Sequence, residues 1–244
     1  MQTIKPIKLL VYLAVWKRPE ITKLCFAGIK RLRKHPRFDI DALAVISEES
    51  MIPLCEKYDV KWVMSDNKPL GRKKNNGLLA ASKLGFDYLM EIGSDDLVLN
   101  ELLDWYCPMV DAGELFFGIR DIAYLESDTG ACRRLISKAT YGAGRMIHRS
   151  VLERMNWKLW KDELNRGLDN NSVFNLMRQK VQYKVIAPKE FPGVIDVKSD
   201  ENIWRFDYFL GVEYDKNELF KRLSKQEVAM IESYVTEPEA IQSA

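Results

Sequence analysis

Histidine, cysteine and long apolar runs are all scarce in this chain, and each scarcity removes a class of chemistry. The two histidines, His35 and His148, and the four cysteines, Cys25, Cys55, Cys107 and Cys132, are far apart, and no C-x-x-C pair occurs. That excludes the usual zinc-ligand spacings and leaves four reduced, mostly buried thiols. Excess charge is also missing: 37 Lys and Arg stand against 35 Asp and Glu, a formal net charge of +2. No global field draws the chain to nucleic acid or to an anionic membrane, so nucleic acid is not an expected partner and any phosphate recognition has to be local. No apolar stretch approaches the roughly 20 residues that a membrane helix needs, so no membrane span is expected. The apolar run after Lys8 stops at Lys17-Arg18 without a small-residue cleavage signal, which reads as the first strand of a cytoplasmic protein. Internal repeats and low-complexity blocks are absent too.

What is present is a chain of 244 residues, 47% hydrophobic and 11% aromatic, enough to bury a substantial core in one large domain or one domain with a small appendage. Residues 7–16, IKLLVYLAVW, read as a strand buried on both faces. Pro19 can open a helix whose buried face is Ile21, Leu24, Cys25, Ile29 and Leu32. A strand over 40–47, a short helix over 49–58 and a strand over 60–64 follow. This alternation predicts a parallel sheet with helices on both faces, whose strand ends at Trp16-Lys17-Arg18, Ser47-Glu48 and Ser94-Asp95-Asp96 gather on one edge. After Asp96 the pattern becomes α+β. A helix is expected over 100–109, strands over 114–126 and 133–137 about a turn at Asp128-Thr129-Gly130, short strands in QYKVIA and GVIDV, and one or two helices in NELFKRLSKQEVAMIESYV before a frayed acidic tail.

The stretch from Pro69 to Leu97, PLGRKKNNGLLAASKLGFDYLMEIGSDDL, organises the rest. Gly71 can take the turn into a helix whose narrow face is Leu78, Ala81, Ser82 and Gly85. Its first turn carries Arg72, Lys73 and Lys74, cations placed where unpaired N–H groups already make the potential positive. A phosphate would compensate them. FDYLMEI then reads as a strand that delivers Asp95 and Asp96 to the ligand-binding edge of the sheet, where hard oxygen donors suit Mn2+ or Mg2+ bridging to phosphate. The structural alternatives are a solvated basic face and an Asx turn capping the next helix. Further on, Gly142 and Gly144 flank Ala143 in a turn or a substrate loop, and Asp169 opens a helix either as its N-cap or as a pocket carboxylate.

Together these residues resemble the GT-A glycosyltransferases, in particular the large inverting group called family 2. The resemblance spans most of residues 7–180 and rests on four places: VYLAVWKRPE; Gly71-x-x-x-Asn75-x-Gly77, with Lys74 where these enzymes often have Arg; the acidic loop IGSDD where they carry D-x-D; and YGAGRMIHRSVLERM followed by GLDNNS. It implies an α/β, Rossmann-like GT-A fold with a mostly parallel sheet, helices on both faces and a smaller α+β acceptor-side portion. Residues 1–98 would form the nucleotide-sugar-binding half, 99–212 the acceptor-side half of the same domain, and 213–244 a C-terminal helical tail.

The implied activity is transfer of a sugar from a nucleoside-diphosphate donor, a UDP-sugar foremost, to a carbohydrate or other hydroxyl acceptor. The implied cofactor is Mn2+ or Mg2+ on Asp95 and Asp96. Trp16, Lys17, Arg18 and Glu48 would hold base and ribose; Gly71, Arg72, Lys74, Asn75 and Gly144 complete the substrate site. Asp169 would be the general base, with Asp162 and Glu163 as further candidates, and Asp196 or Lys198 would line the side where some such enzymes use a later histidine. The chain departs from the family at Gly93, which stands where the first D-x-D carboxylate belongs, and in having no histidine after His148. Two other readings stay open. A nucleotidyltransferase acting on a sugar phosphate would need a glycine-rich loop where this chain has Trp16-Lys17-Arg18-Pro19. A catalytically silent nucleotide- or sugar-binding protein of the same fold would fit the missing carboxylate.

Overall fold

The apolar run at the start of the chain becomes β1 (Ile7–Ala14), whose side chains alternate between two cores. In the computed structural model, which describes residues 5–199, 206–208 and 210–234, Leu9, Val11 and Leu13 face one core while Leu10 and Tyr12 face the other. A strand with both faces buried must be apolar throughout, which is why the run shows no polar alternation.

The chain continues through α1 (Pro19–Leu32), β2 (Phe38–Ile46), a 3-10 turn at Glu49–Met51, α2 (Ile52–Lys57), β3 (Lys61–Met64), α3 (Leu70–Ala81) and β4 (Tyr88–Gly93). Then follow β5 (Asp96–Val98), α4 (Asn100–Asp111), β6 (Phe116–Ile119), β7 (Asp121–Glu126), β8 (Cys132–Ile136), β9 (Arg145–His148), α5 (Arg149–Arg154) and α6 (Leu168–Arg178). The last elements described are β10 (Lys184–Ile186), β11 (Val194–Lys198), a 3-10 turn at Phe206–Tyr208, β12 (Val212–Glu213), α7 (Lys216–Phe220) and α8 (Lys225–Glu232).

The main sheet has the order β10-β6-β9-β4-β1-β2-β3. It is parallel except at β9, which runs antiparallel to both β4 and β6. Helices α1, α2 and α4 pack on one face through Phe26, Cys55 and Leu102, and α3, α5 and α6 pack on the other through Leu78, Leu152 and Leu176. A second sheet, β12-β8-β7-β11-β5, lies against the start of α1, where Ile21 and Leu24 meet Leu97, Leu125, Ile195 and Val197. Its core is completed by Leu219 and Ile231 of α7 and α8. Glu227 of α8, fully buried, receives Nε of Arg31 on both carboxylate oxygens at 3.0 and 2.9 Å.

One feature differs from the sequence reading. The run 114–126, expected as one strand, is broken at Arg120 into β6 and β7, which belong to different sheets. Sheet membership also departs from chain order: β6, β9 and β10 complete the main sheet, and β5 belongs to the second one. Both partitions depend on pairings between distant segments, which local pattern does not encode. The tail EPEAIQSA lies outside the described residues. Cys25, Cys55 and Cys132 are buried and Cys107 half-buried, all as free thiols. Burial raises the pKa of each, which leaves them inert near neutral pH. No helix among the described residues is long and apolar enough to cross a membrane.

Candidate active site

Parallel pairing of β4, β1 and β2 sets Gly93 beside Ala14 and Ala14 beside Val45, so the loops after these strands share one edge of the sheet. The loop after β1 turns sharply: Lys17 and Arg18 both adopt left-handed backbone angles, with φ of 54° and 52°. Each such residue costs roughly 1–2 kcal/mol, a strain concentrated at functional loops. The turn leaves Trp16 42% exposed with Lys17 Nζ 4.7 Å above its ring, and the Lys17 amide donates to Glu48 at 3.1 Å. It also aims Arg18 across the edge, where Nη1 donates to Asp95 at 3.0 Å and Nη2 to Ser94 Oγ at 3.2 Å.

Asp95, Asp96 and Asp196 offer one carboxylate oxygen each within 4.8 Å of one another. Antiparallel pairing of β5 with β11 puts Asp96 directly opposite Asp196, about a hundred residues further along the chain. A Cβ on Gly93 would lie 2.5 Å from Asp95 Oδ1 and 3.0 Å from Asp96 Oδ2. The glycine is therefore the residue over which these carboxylates fold. The third carboxylate of the cluster comes from β11 instead. Burial, then Asp196 and Asp95, pushes the Asp96 carboxyl well above its usual range. Asp196 is pushed up to about 6, by burial first, with Lys198 opposing and Asp95 adding. Lys198 Nζ donates to Asp196 at 2.6 Å and sits 5.0 Å above the Tyr124 ring. The other oxygen, Asp196 Oδ1, is buried with no hydrogen-bond partner among the described residues. A hard oxygen set with an unpartnered buried oxygen fits a divalent cation.

The start of α3 differs from the anion cradle expected there. Its first amides are already taken: Leu70 donates to Asn165 Oδ1 at 3.1 Å, Gly71 to the Leu164 carbonyl at 2.8 Å and Arg72 to the Asp162 carbonyl at 3.1 Å. Gly71 is needed because a Cβ would sit 2.0 Å from the Lys161 carbonyl oxygen. Asn75 saturates its amide on the same segment. Its Nδ2 donates to the Trp160 carbonyl and to Asp162 at 2.7 Å, and its Oδ1 accepts from the Leu159 and Trp160 amides. These contacts give Gly71 and Asn75 a role in holding residues 159–165 against α3.

The basic run divides. Arg72 is exposed. Lys74 bonds Glu91 on β4 and lies 4.7 Å under the Trp160 ring. Lys73 is buried against the Val15 carbonyl and Asn67. Burial pulls the Lys73 ammonium down to about 8, with Glu48 opposing. Between pH 8 and 9 the unfolded chain then binds more protons at Lys73 than the folded one, so folding stability should rise with pH across that window. Lys73→Met should flatten the rise in denaturant titrations at pH 7.5 and 9; an identical rise in the variant would show that Lys73 is not its source.

Asp169 sits in the first turn of α6, whose N-cap is Gly167 with φ of 70°, so the carboxylate is not the cap. It is exposed and accepts from the Gly142 amide at 3.2 Å. A Cβ on Gly142 would meet Asp169 Oδ1 at 2.4 Å. Gly144, with φ of 78°, packs against Leu102 and Val194 and shapes this loop. Asp162 is held by Lys158 and Asn75, which depress its carboxyl, and Glu163 is exposed. Tyr124 on β7, which no local pattern singled out, links the two acidic regions. Burial raises its phenol first, followed by Asp196, Tyr141, Asp96 and Asp169, so both regions act on one hydroxyl.

No protein-family model matches this chain, and no curated protein sequence does. Solved structures do match. The chain is similar to S. aureus TarS 1-349, with 12% identity, a TM-score of 0.59, and coverage of 78% of this chain and 60% of that one. It is similar to TarS 1-349 in complex with UDP, with 13% identity, a TM-score of 0.56, and coverage of 96% and 68%. A third structure is the mannosyltransferase PcManGT from Pyrobaculum calidifontis in complex with GDP-Man and Mn2+, with 10% identity, a TM-score of 0.54, and coverage of 84% and 60%. At such identities the likeness is one of fold: a mixed α/β, GT-A-like glycosyltransferase fold with a mostly parallel central sheet flanked by helices. The chain spans 60% of the length of the first of these structures.

Proposed function

We propose that this chain transfers a sugar from a nucleoside-diphosphate donor to an acceptor hydroxyl, using a divalent cation held by Asp95, Asp96 and Asp196. The observation that carries the reading is the three-carboxylate cluster at the ligand-binding edge of the sheet, with Asp196 Oδ1 buried and unpartnered among the described residues. Mn2+ or Mg2+ bound there would supply positive charge against the leaving diphosphate. Arg18, 3.0 Å from Asp95, can add charge beside the same phosphates. The exposed face of Trp16 suits stacking of a nucleobase, and Glu48, fixed by the Lys17 amide, suits a hydrogen bond to base or ribose. Arg72 is an exposed cation, while Lys74 acts through Glu91.

In the transfer step the acceptor oxygen bonds to the anomeric carbon as the bond to the diphosphate oxygen breaks. The acceptor proton passes to Asp169, on the face opposite the leaving group, and the configuration inverts. Structures of the same fold that hold UDP, or GDP-Man with Mn2+, support a nucleotide-sugar donor. The test is incubation with a panel of UDP- and GDP-sugars, with Mn2+ or with chelator, while free nucleoside diphosphate is measured. Release that needs the cation supports the proposal. Nucleotide binding indifferent to the cation, with no release from any donor, would favour the silent binding protein.

A further inference from the structure

Arg145, at the start of β9, is fully buried, and both halves of the Gly142–Asp169 contact hang from it. Its backbone amide donates to the Gly142 carbonyl at 3.2 Å. Its Nη1 donates at 2.6 Å to Ser172 Oγ, also fully buried, and that hydroxyl donates in turn at 2.9 Å to the carbonyl of Asp169. Nη2 reaches the Thr140 carbonyl at 3.4 Å. The guanidinium is 3.7 Å from Glu91 Oε2, and Glu91 is buried on β4 two residues before the glycine of the acidic loop. Lys74 bonds the other Glu91 oxygen.

A buried triad of this kind is expensive, since each ion loses its water and an apolar trio would stabilise the core at least as well. Register alone does not require it: β9 pairs with β4 through Tyr88, Leu89 and Met90 as well as Glu91. What the charges add is a directional chain of hydrogen bonds from a fixed cation through one hydroxyl to the backbone of Asp169.

We propose that Arg145 is a positioning residue: anchored by Glu91 and acting through Ser172, it fixes Asp169 against Gly142 and relative to the acidic loop. The catalytic consequence rests on the glycosyltransferase reading, whereas the positioning itself does not. Ser172→Ala removes the link without emptying the core. In the full chain, hydrogen exchange of the Gly142 amide should speed at least tenfold while the β1 amides of Val11 and Leu13 keep their rates. Ser172→Thr, which retains the hydroxyl, should keep Gly142 protected. With any UDP- or GDP-sugar that the wild type hydrolyses, Ser172→Ala should lower kcat about tenfold at unchanged KM, and should add no loss in an Asp169→Asn background.

Unchanged Gly142 exchange in folded Ser172→Ala would overturn the proposal, as would equal acceleration of the β1 amides. If Ser172→Ala does not fold, Ser172→Cys, close in volume and a weaker hydrogen-bonding group, is read in the same way. Failure of both to fold would assign Ser172 to the core and also overturn it. Absence of any nucleotide binding by the wild type would instead sink the glycosyltransferase reading and leave the exchange result standing.

Discussion

Asp169→Asn should lower sugar transfer by about 10²- to 10⁴-fold, the range spanned by loss of a general base, and should leave nucleoside-diphosphate affinity within about twofold. The side chain is exposed and is not the helix cap, so replacing it removes no buried charge and frees no first-turn amide through an N-cap. Asparagine keeps an oxygen that can accept from the Gly142 amide, which now lies 3.2 Å from the carboxylate. What it loses is the capacity to take a proton. A fall in kcat at constant donor affinity identifies a group acting in the transition state, and an equal loss of donor binding would make Asp169 a donor ligand or a structural residue. Asp162 does not compete for the role in the same way, because Lys158 and Asn75 already occupy its two oxygens.

Asp96→Asn should abolish Mn2+ binding and at the same time stabilise the fold. Asp96 is buried with two carboxylates whose oxygens come within 4.8 Å, and its bond to the Gly93 amide brings no countercharge. Arg18 and Lys198 pair with Asp95 and Asp196 respectively, so Asp96 bears the least compensated charge of the three. Its carboxyl is raised by burial and by its neighbours, which means that the folded state disfavours the ionised form at neutral pH. An amide of the same shape keeps the Gly93 bond without the charge, worth about 1–2 kcal/mol or roughly 2–8 °C in Tm. Such a gain in stability with loss of the ion is the trade expected where a fold holds repulsive charges for a ligand. Retained Mn2+ binding, or a clear drop in Tm, would contradict this placement of the charge.

The sequence exposes the first strand, the alternation through β4 and the Asp95-Asp96 loop because each is a local pattern. A two-face-buried strand is apolar throughout, and a helix start carries its own residue types. Asp196 is legible only as a residue on that side. Its place opposite Asp96 depends on a register between strands some hundred residues apart, and no local signal sets that register. The basic run illustrates the opposite limit. Arg72, Lys73 and Lys74 look alike in sequence, yet one is exposed, one is buried on a carbonyl and one pairs with Glu91. Likewise the expected open amides of α3 are closed by residues 162–165, whose arrival depends on tertiary packing and not on helix propensity. Three glycines of the site mark close approaches, which a single chain pattern does not show: Gly71 to Lys161, Gly93 to Asp95 and Gly142 to Asp169.

The most direct test of a cation-dependent diphosphate site is calorimetric titration of UDP and of GDP into the full chain, first with Mn2+ and then with chelator. Heat of binding for at least one nucleotide that appears with Mn2+ and disappears with chelator is the predicted result. Binding of equal strength in both conditions, or none in either, would contradict the assignment of Asp95, Asp96 and Asp196 as the ligands of a catalytic cation.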